Sequence, residues 1–466
     1  MSRLDKRKKL FKKTLDYETA KTKRIQSLLE QSKSKTEQIL DRKRKIVGSY
    51  EQSMVMKEDP DKWFENGSFL NLQGLIDWMS QVKTGTIEEQ NKAIKCIRIL
   101  LSCSISIPYE KILQDTEFIK VLMQAFKKST AREFLLNSAW IFTNLIVHIS
   151  NQNTTNELIS KIPFLLGCDL GIAELGVIMA SNISNKSKDN QNLLLEQNII
   201  SHLHDLYIRT TDQKLKYSII GCFSNLLSGR SVDINKYSEK MIPILISVLK
   251  ETTNPEILLD ALFCLSYLAE EKVIGKQMVK YVTNFKITIN NEFYEIVCST
   301  LQILSSILLT PENIPKVFKA IPIQLFSNLL DSQNFFIQKY ISLVFYTITL
   351  KYNSYITNEH TTKLCKLANK HNLALLALTN LARNNEKQIK LLVNSPAIDL
   401  FIKCLNINSE EYIYFAAEAL NTILDSTHKN LIKNKIDIQK IEKLHLHPNE
   451  EIFNCINQIF SKLNNN

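Results

Sequence analysis

Glycine and proline are scarce in this chain, ten of each among 466 residues. Turn-dense β architectures need more glycine than this, so sandwiches and barrels are disfavoured. Nine cysteines lie scattered and never form a CxxC pair, and no HExxH or glycine-rich phosphate loop occurs. Zinc-ribbon, metalloprotease and phosphate-loop chemistry therefore have no sequence support. The eight histidines include His445 and His447, and His202 and His204, each pair two residues apart. On a helix that spacing points side chains to different faces, which argues against a shared metal. No run of about 18 apolar residues marks a membrane span, and no apolar leader opens the chain. The cysteines fall inside apolar helical stretches and read as reduced core residues of a soluble intracellular protein. Composition thus points to a chain that is not an enzyme and carries neither cofactor nor metal.

What is present is helical composition with a strong charge asymmetry. Hydrophobic residues make up 44% of the chain, too many for a disordered one. At this length the chain should form several domains or one extended repeat array. Residues 1 to 45 hold 16 Lys or Arg against 6 Asp or Glu, a net of +10 out of +11 for the whole chain. The remaining 421 residues are nearly neutral, with 42 basic and 41 acidic groups. A basic arm is thus tethered to a balanced body. Such an arm reads as a nucleic-acid tail, a membrane-surface helix or a docking peptide for an acidic partner.

Repetition organises the body. A helix ending in a short polar stretch recurs around Asn144, Asn182, Asn225, Tyr267, Ser306, Thr347, Asn380 and Asn421, at intervals of 38, 43, 42, 39, 41, 33 and 41. All but one of these steps match armadillo or HEAT units. Ile162-Pro163, Ile242-Pro243 and Ile321-Pro322 recur every second repeat, 80 and 79 residues apart. Proline there is expected in the first turn of a helix, where its missing N–H has no partner in any case. Each unit is expected to be a pair of helices, as in Pro243 to Leu249 followed by Asn254-Pro255-Glu256 to Ala269. One pair cannot bury its apolar face alone, whereas a stack of about nine can, giving an all-α, right-handed superhelical solenoid. The recurrent Asn residues then form a ladder along its groove. Their plainer reading is helix-terminal caps. The boundaries expected are an arm at 1–52, a linker at 53–65 and the solenoid at 66–466, closing on a helix from Glu450 to Leu463. Trp63 and Trp78 read as packing residues.

The spelling of the ladder, SAWIFTNL, SNLLSG, LSYLAEE and LTNLA, resembles the armadillo repeats of importin α, the adaptor family that carries basic nuclear localisation signals. IEEQNKAIKCIRILLS (Ile87 to Ser102) is similar to that family's opening repeat. The arm resembles the family's importin-β-binding segment at Phe11-Lys12, Arg24-Ile25, Lys33, Lys35 and Leu40 followed by Arg42, Lys43, Arg44 and Lys45. A nucleic-acid tail would instead mix basic clusters with glycine or aromatics at no fixed spacing. The resemblance implies an adaptor shuttling between cytoplasm and nucleus, with importin β on the arm and a signal peptide in the groove. It implies no direct nucleic-acid or membrane partner. An export receptor contacts the family's last repeats, but no residue here carries that over. It also implies that the arm's last basic cluster folds back into the empty groove, with Val47 to Asp61 as the returning segment.

By that resemblance the cargo-binding residues are Trp140, Asn144, Asn182, Asn225, Phe263, Tyr267, Glu270 and Asn380. In the family, Trp residues make slots for cargo lysines, and Asn one turn later bonds the cargo main chain. This chain departs from the pattern. Ile178 and Gly221 replace Trp, Lys186 stands at the lysine-selecting aspartate, and Leu343, Thr347, Leu373, Leu376, Gln302 and Ser306 replace further groove residues. Each lost indole removes roughly 0.5 to 2 kcal/mol, so two lost slots weaken a basic peptide about fivefold to a thousandfold. Lys186 adds repulsion. Two readings follow: an import adaptor for basic or atypical signals, or an importin-β-bound armadillo scaffold that no longer carries ordinary basic signals. The neutral body favours the scaffold. The Asn ladder favours the adaptor, on the expectation that those amides are exposed.

Overall fold

The computed structural model describes residues 72–102, 109–227, 235–350, 353–383, 385–444 and 447–464. Several expectations lie outside the described residues: the arm with Phe11, Lys12, Arg24, Ile25, Lys33, Lys35, Leu40, Arg42, Lys43, Arg44 and Lys45, the linker at 53–65, Trp63, Cys103 and His445. All secondary structure among the described residues is helical. No single helix among them is long and apolar enough to cross a membrane.

One long helix per repeat carries the ladder. These helices are α1 (Ile87–Ser102), α2 (Arg132–Leu145), α3 (Leu170–Ser184), α4 (Gln213–Leu227), α5 (Pro255–Glu270), α6 (Tyr294–Leu308), α7 (Phe335–Thr349), α8 (Asn372–Ala382), α9 (Glu410–Leu424) and α10 (Glu450–Asn464). The chain divides into two compact units, and the division falls within helix Asn235–Glu251. In the first unit α1 packs on α2, α2 on α3 and α3 on α4; in the second the same succession runs from α5 to α10.

Each ladder helix forms because its sequence is apolar around most of its circumference, and such a helix is stable only when buried. In α3, ten of fifteen residues are buried, Ile172, Leu175, Met179 and Ile183 among them. Phe142, Phe223, Phe345 and Phe401 are completely enclosed and anchor successive layers. Each contributes about 1.5–3 kcal/mol relative to an exposed ring. Helix starts are set locally by capping. Asp169 accepts from the backbone N–H of Gly171 and Ile172, Asn334 from Phe336 and Ile337, and Asn254 from Glu256 and Ile257 just before Pro255. Each such cap is worth about 1 kcal/mol.

The expected pair of helices per repeat needs correction. Several repeats have two short helices before the ladder helix, as with Lys188–Glu196 and Ile199–Arg209 before α4, or Glu386–Val393 and Ala397–Cys404 before α9. In others the two are fused, as Gln152–Gly167 before α3 and Asn235–Glu251 before α5. Pro163 and Pro243 lie inside those fused helices and not in a first turn; Pro322 is a helix N-cap. A proline ring removes one i to i−4 hydrogen bond. Burial of the fused helix through Leu158, Ile162 and Leu165, or through Met241, Leu245 and Val248, offsets that loss. The short step of 33 residues before Asn380 has a simple origin: a single outer α-helix, Asn358–Ala368, lies between α7 and α8. The expected last helix is present as α10. Six cysteines, Cys96, Cys222, Cys264, Cys298, Cys365 and Cys404, are buried and reduced, and Cys168 and Cys455 are partly covered and reduced.

Candidate peptide-binding ladder

In the first unit the residues four before each ladder amide meet solvent while their helical neighbours are enclosed. Trp140, Ile178 and Gly221 are partly exposed within otherwise buried stretches of α2, α3 and α4. The repeat register extends one step further back: 42 residues before Trp140 stands Arg98 on α1. Its guanidinium carbon lies 5.8 Å from the centre of the Trp140 ring. That distance lies within cation–π range. The single indole of the ladder is therefore already faced by a cation of the chain itself. Reading from residues missed Arg98 because the ladder was counted from its first Asn; the repeat interval was the signal that locates it.

The ladder amides correct the sequence reading, which takes them as exposed. Asn144, Asn182 and Asn225 are 7%, 4% and 5% exposed. Asn144 Nδ2 donates to the Trp140 carbonyl within its own helix at 3.1 Å. Asn225 Nδ2 crosses to Ser181 Oγ on α3 at 2.7 Å, and its carbonyl accepts from Gln191 Nε2 at 3.1 Å. The Nδ2 of Asn182 is buried with no hydrogen-bond partner. Side chains at this position insert between successive ladder helices, which is why an amide there finds internal partners.

Lys186 follows α3 and donates its ammonium to the carbonyl of Ile149, beyond the end of α2. Burial holds its pKa below the ordinary lysine value. The charge persists at neutral pH, fixed between the ends of two ladder helices.

In the second unit the corresponding row reads Phe263, Gln302, Leu343 and Leu376, all partly exposed. Tyr267 is buried, and Glu270 accepts from Gln302 Nε2 at 3.1 Å. Ser306 and Thr347 turn inward to their own helices, donating to the carbonyls of Gln302 and Leu343. Leu373 lies one turn before Ala377 on α8 and is partly exposed. Asn380, 3% exposed, donates to Thr349 Oγ1 at 3.4 Å and accepts from Arg383 Nη1 at 3.1 Å. Arg383 in turn grips Glu418 on α9 with two N–H groups. The row is thus mainly apolar, flanked by polar links from one repeat to the next.

An aromatic cluster that the repeat pattern does not reveal lies at the starts of α6, α7 and α8. Tyr294 stacks on Phe336 at 5.7 Å, Phe336 meets Phe335 edge to face at 5.8 Å, and Phe335 lies 4.7 Å from His371. Phe335 and Phe336 are about half exposed. Trp78 is partly buried, in keeping with a packing role. No cluster of metal-ligating side chains occurs among the described residues, and His204 pairs with Asp205 at 3.0 Å.

No protein-family model matches the chain. No curated protein matches it either. Among solved structures, an engineered protein aligns with 84% of this chain and 98% of its own, at 17% identity and a TM-score of 0.68. A structure concerned with a phosphorylation switch in the interaction between cadherin and β-catenin aligns over 84% of this chain and 86% of its own, at 13% identity and a TM-score of 0.66. A designed armadillo repeat protein aligns over 48% of this chain at 21% identity and a TM-score of 0.43. Likeness at such identities is likeness of fold: the chain is an all-α armadillo-repeat solenoid.

Proposed function

We propose that the protein is a non-enzymatic nuclear import adaptor. In this reading its basic arm recruits importin β and its armadillo ladder holds an extended peptide other than the ordinary lysine-rich signal. It shuttles between cytoplasm and nucleus. The observation that carries the reading is the union in one chain of an armadillo solenoid with an arm of net charge +10 over 45 residues. The arm's Phe11-Lys12, Arg24-Ile25 and Leu40 to Arg44 stand in the order of an importin-β-binding segment. Charge-assisted pairs to an acidic partner suit such a segment and weaken with salt.

The ladder supports the restriction on cargo. Trp140 already faces Arg98, Ile178 and Gly221 offer no indole, and the Lys186 charge is fixed beside the amide row. A specific observation favours the scaffold as the second reading: Asn144, Asn225 and Asn380 use their amide donors internally.

The test is a pull-down of purified importin β with the full chain and with residues 53–466, each with and without a lysine-rich signal peptide. Arm-dependent capture supports the import reading. Capture by neither form refutes it and leaves the solenoid. If removal of residues 1–52 also leaves peptide affinity unchanged, the arm does not occupy the ladder.

A further inference from the structure

The ladder face of the first unit carries its own cations where a basic peptide would lay its lysines. On α1, Lys95 and Arg98 are three residues apart, share one helical face and are partly exposed. Arg98 covers the Trp140 ring. Lys186 closes the far edge between the ends of α2 and α3, and Lys214 is exposed at the start of α4. Against these four cations the carboxylates of the same face are Glu133, exposed at the start of α2, and Glu174, one turn before Ile178 on α3. The Arg132–Asp169 pair at the starts of α2 and α3 is internally neutral. The middle of the face is thus cationic, and both carboxylates lie toward the helix N-termini.

A guanidinium stacked on an indole uses its face for the ring and recognises a carboxylate with its edge. The fork of N–H groups along that edge suits bidentate pairing with Asp or Glu. A peptide lysine placed there would meet Arg98 as a like charge and would have to displace an intramolecular cation from the ring. Beside this position Ile178 offers an aliphatic surface, and the amide of Asn182 lies buried with no partner. An unpaired buried donor costs about 1–3 kcal/mol, so a peptide carbonyl that reached it would recover part of that loss.

Resting on the reading of the ladder as a peptide site, we propose that its first unit selects an extended acidic peptide. Its Asp or Glu side chain pairs with Arg98 above Trp140, and a neighbouring aliphatic side chain covers Ile178. The selectivity is the reverse of that needed for a lysine-rich signal.

Three fluorescein-labelled ten-residue peptides test this against the full chain by anisotropy: one alternating Leu with Asp and Glu, one lysine-rich, one of Ala and Gln. The expected result is saturable binding of the acidic peptide, at least about tenfold tighter than the other two and weakening as salt rises. Arg98→Gln is expected to lower that affinity about tenfold, and Arg98→Glu to abolish it and admit the lysine-rich peptide. Trp140→Leu, which removes the platform beneath the guanidinium, is expected to weaken binding about fivefold and stands in should Arg98→Glu fail to fold. Tighter binding of the lysine-rich peptide, no saturable binding of the acidic one, or acidic binding indifferent to both Arg98→Gln and Trp140→Leu would each overturn the proposal. Importin β capture by the same samples reports on the arm, so loss of the import reading and loss of acidic selectivity are separate results.

Discussion

The ammonium of Lys186 donates to the carbonyl of Ile149, tying the end of α3 to the turn beyond α2. The residue that replaces an acid in the resemblance to importin α is therefore also a structural strap. A charge-assisted hydrogen bond to a partly buried carbonyl is worth about 1.5–3 kcal/mol. Lys186→Met is expected to lower the unfolding free energy by about 1–2 kcal/mol, measured by urea denaturation. Lys186→Asp, which restores the acid, loses the strap as well and is expected to be less stable than Lys186→Met. Equal stability of all three forms would show that the strap carries no weight.

The ladder amides separate into two energetic classes, and alanine distinguishes them. Asn225 bonds Ser181 across the repeat boundary, so Asn225→Ala strands the Ser181 hydroxyl and is expected to cost about 1–2 kcal/mol. Asn182 leaves its Nδ2 buried and unpaired. Asn182→Ala removes a donor that gains nothing in the free protein, so its stability should change by less than about 0.5 kcal/mol or rise. Parallel thermal melts of the two variants check this. A larger loss at Asn182 than at Asn225 would contradict the assignment of partners.

Much of the fold was legible because repetition multiplies a weak signal. An interval near 40 residues, seven times over, located α2 to α9 more securely than any one helix's periodicity does. The outer helices were less legible. Whether two short helices fuse through Pro163 or Pro243 depends on the tertiary burial of residues on either side, and proline alone points to a first turn. At the ladder, identity was readable and environment was not. Sequence places Asn144, Asn225 and Asn380 on one face, but only packing shows that each amide is spent on a neighbour. Arg98 over Trp140 joins two repeats, so no local pattern announces it. The cluster of Tyr294, Phe335, Phe336 and His371 likewise gathers the starts of three helices that are far apart in the chain.

Arg209 provides a test of how repeats are fastened on their outer side. Its guanidinium donates to the carbonyls of Leu166, Gly167 and Cys168, the unpaired acceptors at the end of helix Gln152–Gly167. A planar fork serves several carbonyls at once, whereas an ammonium is a single point. Because the side chain is exposed, Arg209→Ala is expected to cost only about 1 kcal/mol, with Arg209→Lys recovering less than half. Urea denaturation of the two variants measures both, and full recovery by lysine would show that charge at the helix end matters and geometry does not.

Acid should loosen the second unit through His360. Its Nδ1 accepts from the backbone N–H of Thr357 at 3.2 Å, capping helix Asn358–Ala368, so the ring proton sits on Nε2, which is buried without a partner. Protonating Nδ1 removes that acceptor. Burial lowers the pKa of His360, with Lys363 acting in the same direction and Glu359 opposing. Burial also lowers that of His371, aided by Lys339 and Lys370. For a base with a lowered folded pKa, the unfolded chain takes up the proton first. Stability is therefore full above the ordinary histidine pKa of about 6.5 and falls as pH drops from there toward the folded value, by up to about 1.4 kcal/mol per pH unit for each histidine. Glutamine at this capping position can accept the same N–H without titrating. His360→Gln is expected to flatten the decline between about pH 6.5 and 5, leaving the share due to His371. A series of urea unfolding curves across that range measures the slope; an unchanged slope in His360→Gln would place the acid sensitivity elsewhere.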